Sequence, residues 1–191
     1  MDNHIKAVTF EEVNHKYYYN GAELLGVTGA IGKLMGKSFP DTDTVKLATM
    51  YGSDVHKEVE NYFNSNGKLT TDGARWVVEE INNFENRLIY NHVESVECEV
   101  MVSDFEGTAS KIDVVMHTVD GAYIFDIKTT SQFDRTYCSL QLSCYKRLYE
   151  ANYDEKVLGM FVLGTKSRRT FRIIEQEDAK VQKILDMNKG V

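Results

Sequence analysis

The sequence predicts an α/β fold, a mixed central sheet with helices on both faces. Three observations predict it. Two alternating, β-rich runs flank Asp120-Gly121; two long helical stretches precede them; and a further helix, strand, strand and helix follow. The central order is therefore α-β-β-β-α-β, which places helices on either side of one sheet.

Taken in order, the run from Ala7 to Tyr19 alternates and predicts a short hairpin, with Asn20-Gly21 as the next turn. Thr28 is placed to cap a short helix through Met35, and Gly36 to Thr42 reads as loop. A helix is expected from Asp43 to Asn64, ended by Asn66-Gly67. Thr71 or Asp72 opens the next, whose Trp76, Val77, Ile81, Phe84, Leu88 and Ile89 recur at three-to-four spacing as a core stripe. Strands follow at Val93–Ser103, Thr108–Thr118 and Ala122–Lys128, then a helix over Asp134–Asn152. Strands at Val157–Gly164 and Thr170–Ile174 and a helix from Glu175 complete the chain. No repeat, low-complexity segment or linker interrupts it, so a single domain over 1–191 is expected, with 1–42 as an N-terminal hairpin and loop extension and 43–191 as the helices and core.

The 191 residues allow a sizeable core, and 42% hydrophobic content fits a folded chain. No apolar run approaches the ~20 residues that span a bilayer, and the opening Met1-Asp2-Asn3-His4 is no signal peptide. A soluble, cytoplasmic protein with no membrane partner is expected. Cys98, Cys138 and Cys144 form no CxxC pair and are too few for a four-cysteine iron–sulfur cluster. The net charge of −7 argues against broad phosphate affinity, but its distribution is uneven. From Lys128 to Val191 there are 12 basic and 8 acidic residues, a balance of +4, whereas the preceding residues carry −11. The basic part includes Lys166, Arg168, Arg169 and Arg172, expected at a turn between the last two strands, where they can contact backbone phosphates.

The chemistry concentrates around the central hairpin. With Asp120-Gly121 as a two-residue loop, Val119 faces Ala122, Asp113 faces Lys128 and Val115 faces Asp126. Strand period two puts Asp113, Asp126 and Lys128 on one face and turns Ile127 into a core. Partners across a hairpin sit ~5 Å apart and diagonal ones ~7–8 Å, so both carboxylates can converge on a cation. Carboxylate oxygens suit Mg²⁺ or Mn²⁺. Lys111 falls on the same face. Gly52, one turn before His56, permits close approach on the helix face that presents the imidazole. Gln141 and Tyr145 share a helix face at i,i+4. Lys128 can hold the attacking water and offset developing charge, or act as a base if its pKa is depressed. His4, His15, His92 and His117 show no ligand spacing and are expected to be structural or exposed.

Gly52-x-x-x-His56, Asp113, Asp126-Ile127-Lys128 and Gln141-x-x-x-Tyr145, in that order, resemble the PD-(D/E)XK nuclease superfamily, and within it the RecB-type exonucleases, including small phage and CRISPR-associated members. The resemblance spans 52–145 and, through the element order, reaches about 165. Phe10-x-x-x-x-His15-x-Tyr17, Gly21 and Val27-Thr28 are also similar to phage members, less specifically.

The resemblance implies a restriction-endonuclease-like fold and a metal-dependent DNA exonuclease. His56, Asp113, Asp126 and the Ile127 carbonyl would hold one or two Mg²⁺ or Mn²⁺ ions, with no iron–sulfur cluster. Lys128, Gln141 and Tyr145 would serve the catalytic site, and a glutamate on the strand before Asp113, Glu99 rather than Glu97, would reach toward it or lie on a solvated face. DNA, single- or double-stranded and bound without sequence preference, is the implied partner, with recombination or replication proteins beside it and oligomeric state open. A phage gene expressed in a bacterial host fits this reading. The alternatives are a structure-specific or flap endonuclease using the same site, and a catalytically inactive nucleic-acid-binding module.

Overall fold

The computed structural model describes residues 4–36, 43–88 and 92–189. Among them are eight strands in one open, mixed sheet and five α-helices. Strands β1 (Val8–Glu11), β2 (Lys16–Tyr19) and β3 (Ala22–Gly26) form an antiparallel N-terminal ribbon, followed by α1 (Val27–Met35), α2 (Asp43–Ser65) and α3 (Asp72–Arg87). Then come β4 (Val93–Ser103), β5 (Thr108–Thr118), β6 (Gly121–Lys128), α4 (Arg135–Tyr153), β7 (Val157–Gly164), β8 (Arg169–Arg172) and α5 (Asp178–Leu185). Helices α1, α4 and α5 cover one face of the sheet, and α2 and α3 the other. A third, smaller core of Ile5, Val8, Tyr17, Leu24 and Ala109 seats the N-terminal ribbon.

Several local expectations change. Asn20-Gly21 leads into a third strand, β3, which pairs in parallel with the start of β5. The cap of α1 is Gly26, not Thr28, because the helix begins two residues earlier than a Thr28 cap implies. Thr71 caps α3 by accepting the Ala74 N–H at 3.2 Å. Leu88 is its non-helical C-cap, while Ile89 and residues 37–42 of the expected loop lie outside the described residues. β8 stops at Arg172, and α5 starts at Asp178, three residues later than Glu175.

The central hairpin is shifted by two. His117 pairs with Ala122 and Thr118 with Gly121, so the loop is Val119-Asp120. Val115 faces Ile124, and Asp113 is not opposite Lys128. Gly121 has a φ of 142°, and a Cβ there would lie 2.3 Å from the Lys156 carbonyl oxygen. This glycine serves close packing at the start of β6, not the turn. Because the shift is even, Asp113, Asp126 and Lys128 keep their parity.

β5 is the organising strand. β4 runs along one edge from Ser103↔Ala109 to Val93↔Thr118. The other edge is divided: β3 takes Thr108 and Ala109, and β6 takes Val114 to Thr118. The interval from Ser110 to Asp113 lies in the fork between them. The pleat also inverts here. Val96 and Cys98 pack toward α2 and α3, but Val100 and Val102 pack toward α1, α4 and α5; on β5, Val114 and Ile112 divide in the same way. A regular strand would keep such residues on one face. The inversion falls at Glu99, whose φ is 56°, and at Asp113 opposite it.

Candidate active site

The fork opens into a cavity of about 590 Å³ whose walls come from β1, β2, α1, α2, β4, β5, β6 and α4. His56 enters from α2, Glu99 from the inverted position of β4, Asp113 from β5, Asp126 and Lys128 from β6, and Gln141 and Tyr145 from α4. The helix approaches closely because Gly52 has no side chain; a Cβ there would lie 3.1 Å from Thr129 Oγ1.

His56, Glu99 and Asp113 each offer one ligand atom, and these atoms lie within 4.8 Å of one another. His56 Nδ1 is 3.5 Å from Asp113 Oδ1. Burial alone would lower the imidazole pKa, but the facing carboxylates of Asp113, Glu99 and Asp126 raise it to about 9. Asp113 moves the other way. Burial opposes its charge, yet His56, Lys128 and the Ile127 N–H hold the carboxyl below its ordinary value. Glu99 is raised by burial and by Asp113. Two carboxylates and an imidazole brought this close together offer the oxygen and nitrogen donors that a divalent cation takes.

The left-handed backbone of Glu99 is an uncommon state for a non-glycine residue inside an eleven-residue strand. It separates Glu99 from Glu97, which period two would place on one face. Glu97 instead lies beside His117, 3.8 Å from its Nε2, while Glu99 enters the cavity.

Asp126 adopts a different arrangement from Asp113. Lys128 Nζ donates to its Oδ1 at 2.9 Å and sits 2.8 Å from Oδ2, an oxygen that is buried without a well-directed hydrogen bond. Burial dominates and raises the Asp126 pKa despite Lys128. Asp126 thus lines the same cavity but stands outside the three-residue ligand group, closed on the lysine. Ile127 is buried on the α2–α3 side, and its N–H donates to Asp113 Oδ2 at 2.6 Å.

Lys128 is buried, which favours the neutral amine, but Asp126 and Asp113 outweigh that and raise its pKa. It is held as a cation, which favours the positioning role over the base. Lys128 Nζ also donates to Gln141 Oε1 at 3.2 Å, Gln141 Nε2 donates to the Tyr145 hydroxyl at 2.9 Å, and Ser110 Oγ donates to the same hydroxyl at 3.2 Å. The i,i+4 pair on α4 therefore fixes the lysine from behind. Burial, with Asp113 and Asp126 nearby, pushes the Tyr145 pKa well above its ordinary value, so the phenol stays neutral.

Of the basic residues, Lys111 lines the cavity, with Nζ 3.5 Å from Glu99 Oε2 and 4.4 Å from the Phe10 ring centroid. Lys166, Arg168, Arg169 and Arg172 are exposed and outside it, on the β7–β8 turn and on β8. The turn is nonetheless tied to the site: Thr165 N–H donates to the Lys128 carbonyl at 3.0 Å, and Lys166 Nζ lies 4.8 Å over the Tyr51 ring of α2.

Ser53, Lys57 and Glu60 on α2 also line the cavity, though not singled out in the sequence. Phe10, His15 and Tyr17, noted there only as a less specific motif with His15 expected to be structural or exposed, form another of its walls. Helical spacing around His56 could have shown Ser53 and Glu60, though not Lys57. The aromatic wall required knowing that the N-terminal ribbon folds against β5.

Cys98, Cys138 and Cys144 are free thiols. Among the described residues no helix is long and apolar enough to cross a membrane. Neither the scan against protein-family models nor the search of curated proteins returns a match.

Proposed function

We propose that the chain is a metal-dependent deoxyribonuclease with a restriction-endonuclease-like fold, acting as an exonuclease. The observation that carries this reading is the meeting of two sets of groups in one fork of the sheet. One is the His56–Glu99–Asp113 ligand group; the other is the Asp126–Lys128 pair braced by Gln141 and Tyr145. The α-β-β-β-α-β order and the parallel pairing of β6 with β7 support the fold.

His56, Glu99 and Asp113 would hold a Mg²⁺ or Mn²⁺ ion, with Asp126 available beside them. A divalent ion in such a site acidifies water and offsets phosphate charge. Lys128 keeps its proton and presents a cation to the reacting phosphate, where negative charge grows as water attacks phosphorus. Gln141 and Tyr145 hold the ammonium in place, so that little reorganisation accompanies the reaction. The exposed arginines beyond β7 would steer the DNA backbone toward the fork without reading bases.

The test is digestion of 5′- and 3′-labelled linear DNA beside a covalently closed circle, with Mn²⁺, Mg²⁺ or EDTA. Metal-dependent loss of the linear species with the circle intact is expected. Cutting of the circle would make the enzyme an endonuclease, and full activity of highly purified protein in EDTA would reject the metal site.

A further inference from the structure

The proposed function uses the acidic and α4 walls of the cavity and leaves its aromatic wall unassigned. That wall is built by the N-terminal ribbon. Phe10 of β1 and Tyr17 of β2 are register partners, with ring centroids 4.8 Å apart. His15, in the connection between these strands, meets Phe10 edge-on at 4.9 Å. Tyr17 is buried at 3% exposure in the small core that anchors the ribbon, Phe10 is half-buried against it, and His15 is exposed at the edge of the cavity. The three rings form a graded support: rigid behind, open in front.

His15 has a φ of 52°, a left-handed backbone that glycine or asparagine adopts more readily, so a test substitution there must keep that conformation. The wall lies next to the ligand group. Lys111 Nζ sits over the Phe10 ring and reaches Glu99 Oε2, so one cation joins the aromatic surface to the acidic centre. An aromatic face beside a lysine, one short step from a phosphodiester site, has the composition of a nucleotide subsite. Rings stack any base face, and the ammonium meets the backbone.

We infer that His15, backed by Phe10 and Tyr17, stacks the nucleobase adjacent to the phosphodiester held at the His56–Glu99–Asp113 group, so the strand is unpaired at that point. The inference rests on the nuclease reading and deepens it by naming the substrate class: a single-stranded end, or an end opened by at least one base pair. Stacking on His15 uses the base face and is indifferent to sequence.

The test measures initial kcat/KM for Mn²⁺-dependent cleavage of an oligothymidylate. The same strand carrying one abasic residue, moved stepwise from the labelled end, is compared with it. For the wild-type protein, one position should show about a tenfold loss when the base is missing, within the range of a single stacked base. His15→Asn, which tolerates the left-handed backbone and should melt with the wild type, is expected to cut the intact strand about tenfold less well and to ignore the abasic residue. His15→Tyr should restore both rate and discrimination. Wild-type cleavage with no abasic-sensitive position, or His15→Asn retaining that sensitivity, would overturn this inference and leave the nuclease reading intact. Wild-type protein that digests linear duplex DNA but cuts no oligothymidylate would overturn this inference alone; protein that cuts neither would overturn both.

Discussion

The Ile127 N–H donates to Asp113 Oδ2 at 2.6 Å. A side chain thus takes over from the β5–β6 ladder beyond Val114↔Phe125, where the fork opens. Asp113 serves the sheet and the ligand group at once, and its two oxygens divide the work. Oδ1 faces His56 and Oδ2 faces the backbone.

That division makes the two roles separable. Asp113→Asn retains a carbonyl oxygen for the Ile127 N–H, so its melting temperature without metal should stay within a few degrees of wild type. Cleavage should disappear, together with the rise in melting temperature that Mn²⁺ gives the wild-type protein. Asp113→Ala should lose stability as well, by about 1–3 kcal/mol, because a buried donor is orphaned. Thermal unfolding with and without Mn²⁺ decides this; an Asn variant that still responds to Mn²⁺ would remove Asp113 from the ligand group.

Glu99 tests whether the inverted pleat is maintained for function. Glycine adopts a φ of 56° without steric cost and removes a carboxylate from a crowded acidic group. Glu99→Gly should therefore melt at or above the wild-type temperature when metal-free, yet lose most of the Mn²⁺-induced rise and at least tenfold in cleavage. A variant less stable than wild type but fully active would make Glu99 a structural residue only.

Lys128→Ala removes the positioned cation and leaves every proposed ligand. It should cut DNA at least a hundredfold more slowly while Mn²⁺ still raises its melting temperature. Cleavage within about tenfold of wild type, roughly 1.4 kcal/mol in barrier, would reject the role given to Lys128.

The pH dependence of metal binding follows from His56. Its folded, metal-free pKa is raised from 6.5 to about 9. The stabilisation it gains from neighbouring carboxylates is fully present below pH 6.5 and is lost as pH rises through about 9. Metal binding has the opposite preference, since a ligand imidazole must release that proton. Mn²⁺ affinity should therefore climb by up to tenfold per pH unit between about 6.5 and 9. His56→Asn should bind more weakly with a flatter profile. Equal slopes in titration calorimetry would show that another group gives up the proton.

Arg168, on the turn tied to Lys128 through Thr165, and Arg169, at the start of β8, are exposed. Replacing both with alanine should weaken DNA binding and reduce the salt dependence by at most about two phosphate contacts. If affinity and salt slope are unchanged, the DNA path must run elsewhere, along Lys111, Arg135, Lys146 and Arg147.

Much of this architecture is written locally. Hydrophobic periodicity locates α2, α3, α4 and the β4–β7 strands because each must bury one stripe or face whatever its neighbours are. Parity puts Asp113, Asp126 and Lys128 together, and an even register shift leaves that unchanged. Tertiary structure decided what parity cannot express. The register differs by two from the one an Asp120-Gly121 turn implies, and Gly121 instead lies against the Lys156 carbonyl, 35 residues away in sequence. Glu99 parts from Glu97 because one left-handed residue inverts the pleat, which no alternation pattern encodes. Asp126 closes on Lys128 while His56 and Glu99 gather around Asp113, since burial and charge balance among side chains from four elements set those pairings. The aromatic wall joins the cavity only because β3 pairs with two residues of β5 and carries the ribbon to the fork. Residue types and spacing name the chemistry available; the splitting of one strand edge between two partners decides where it assembles.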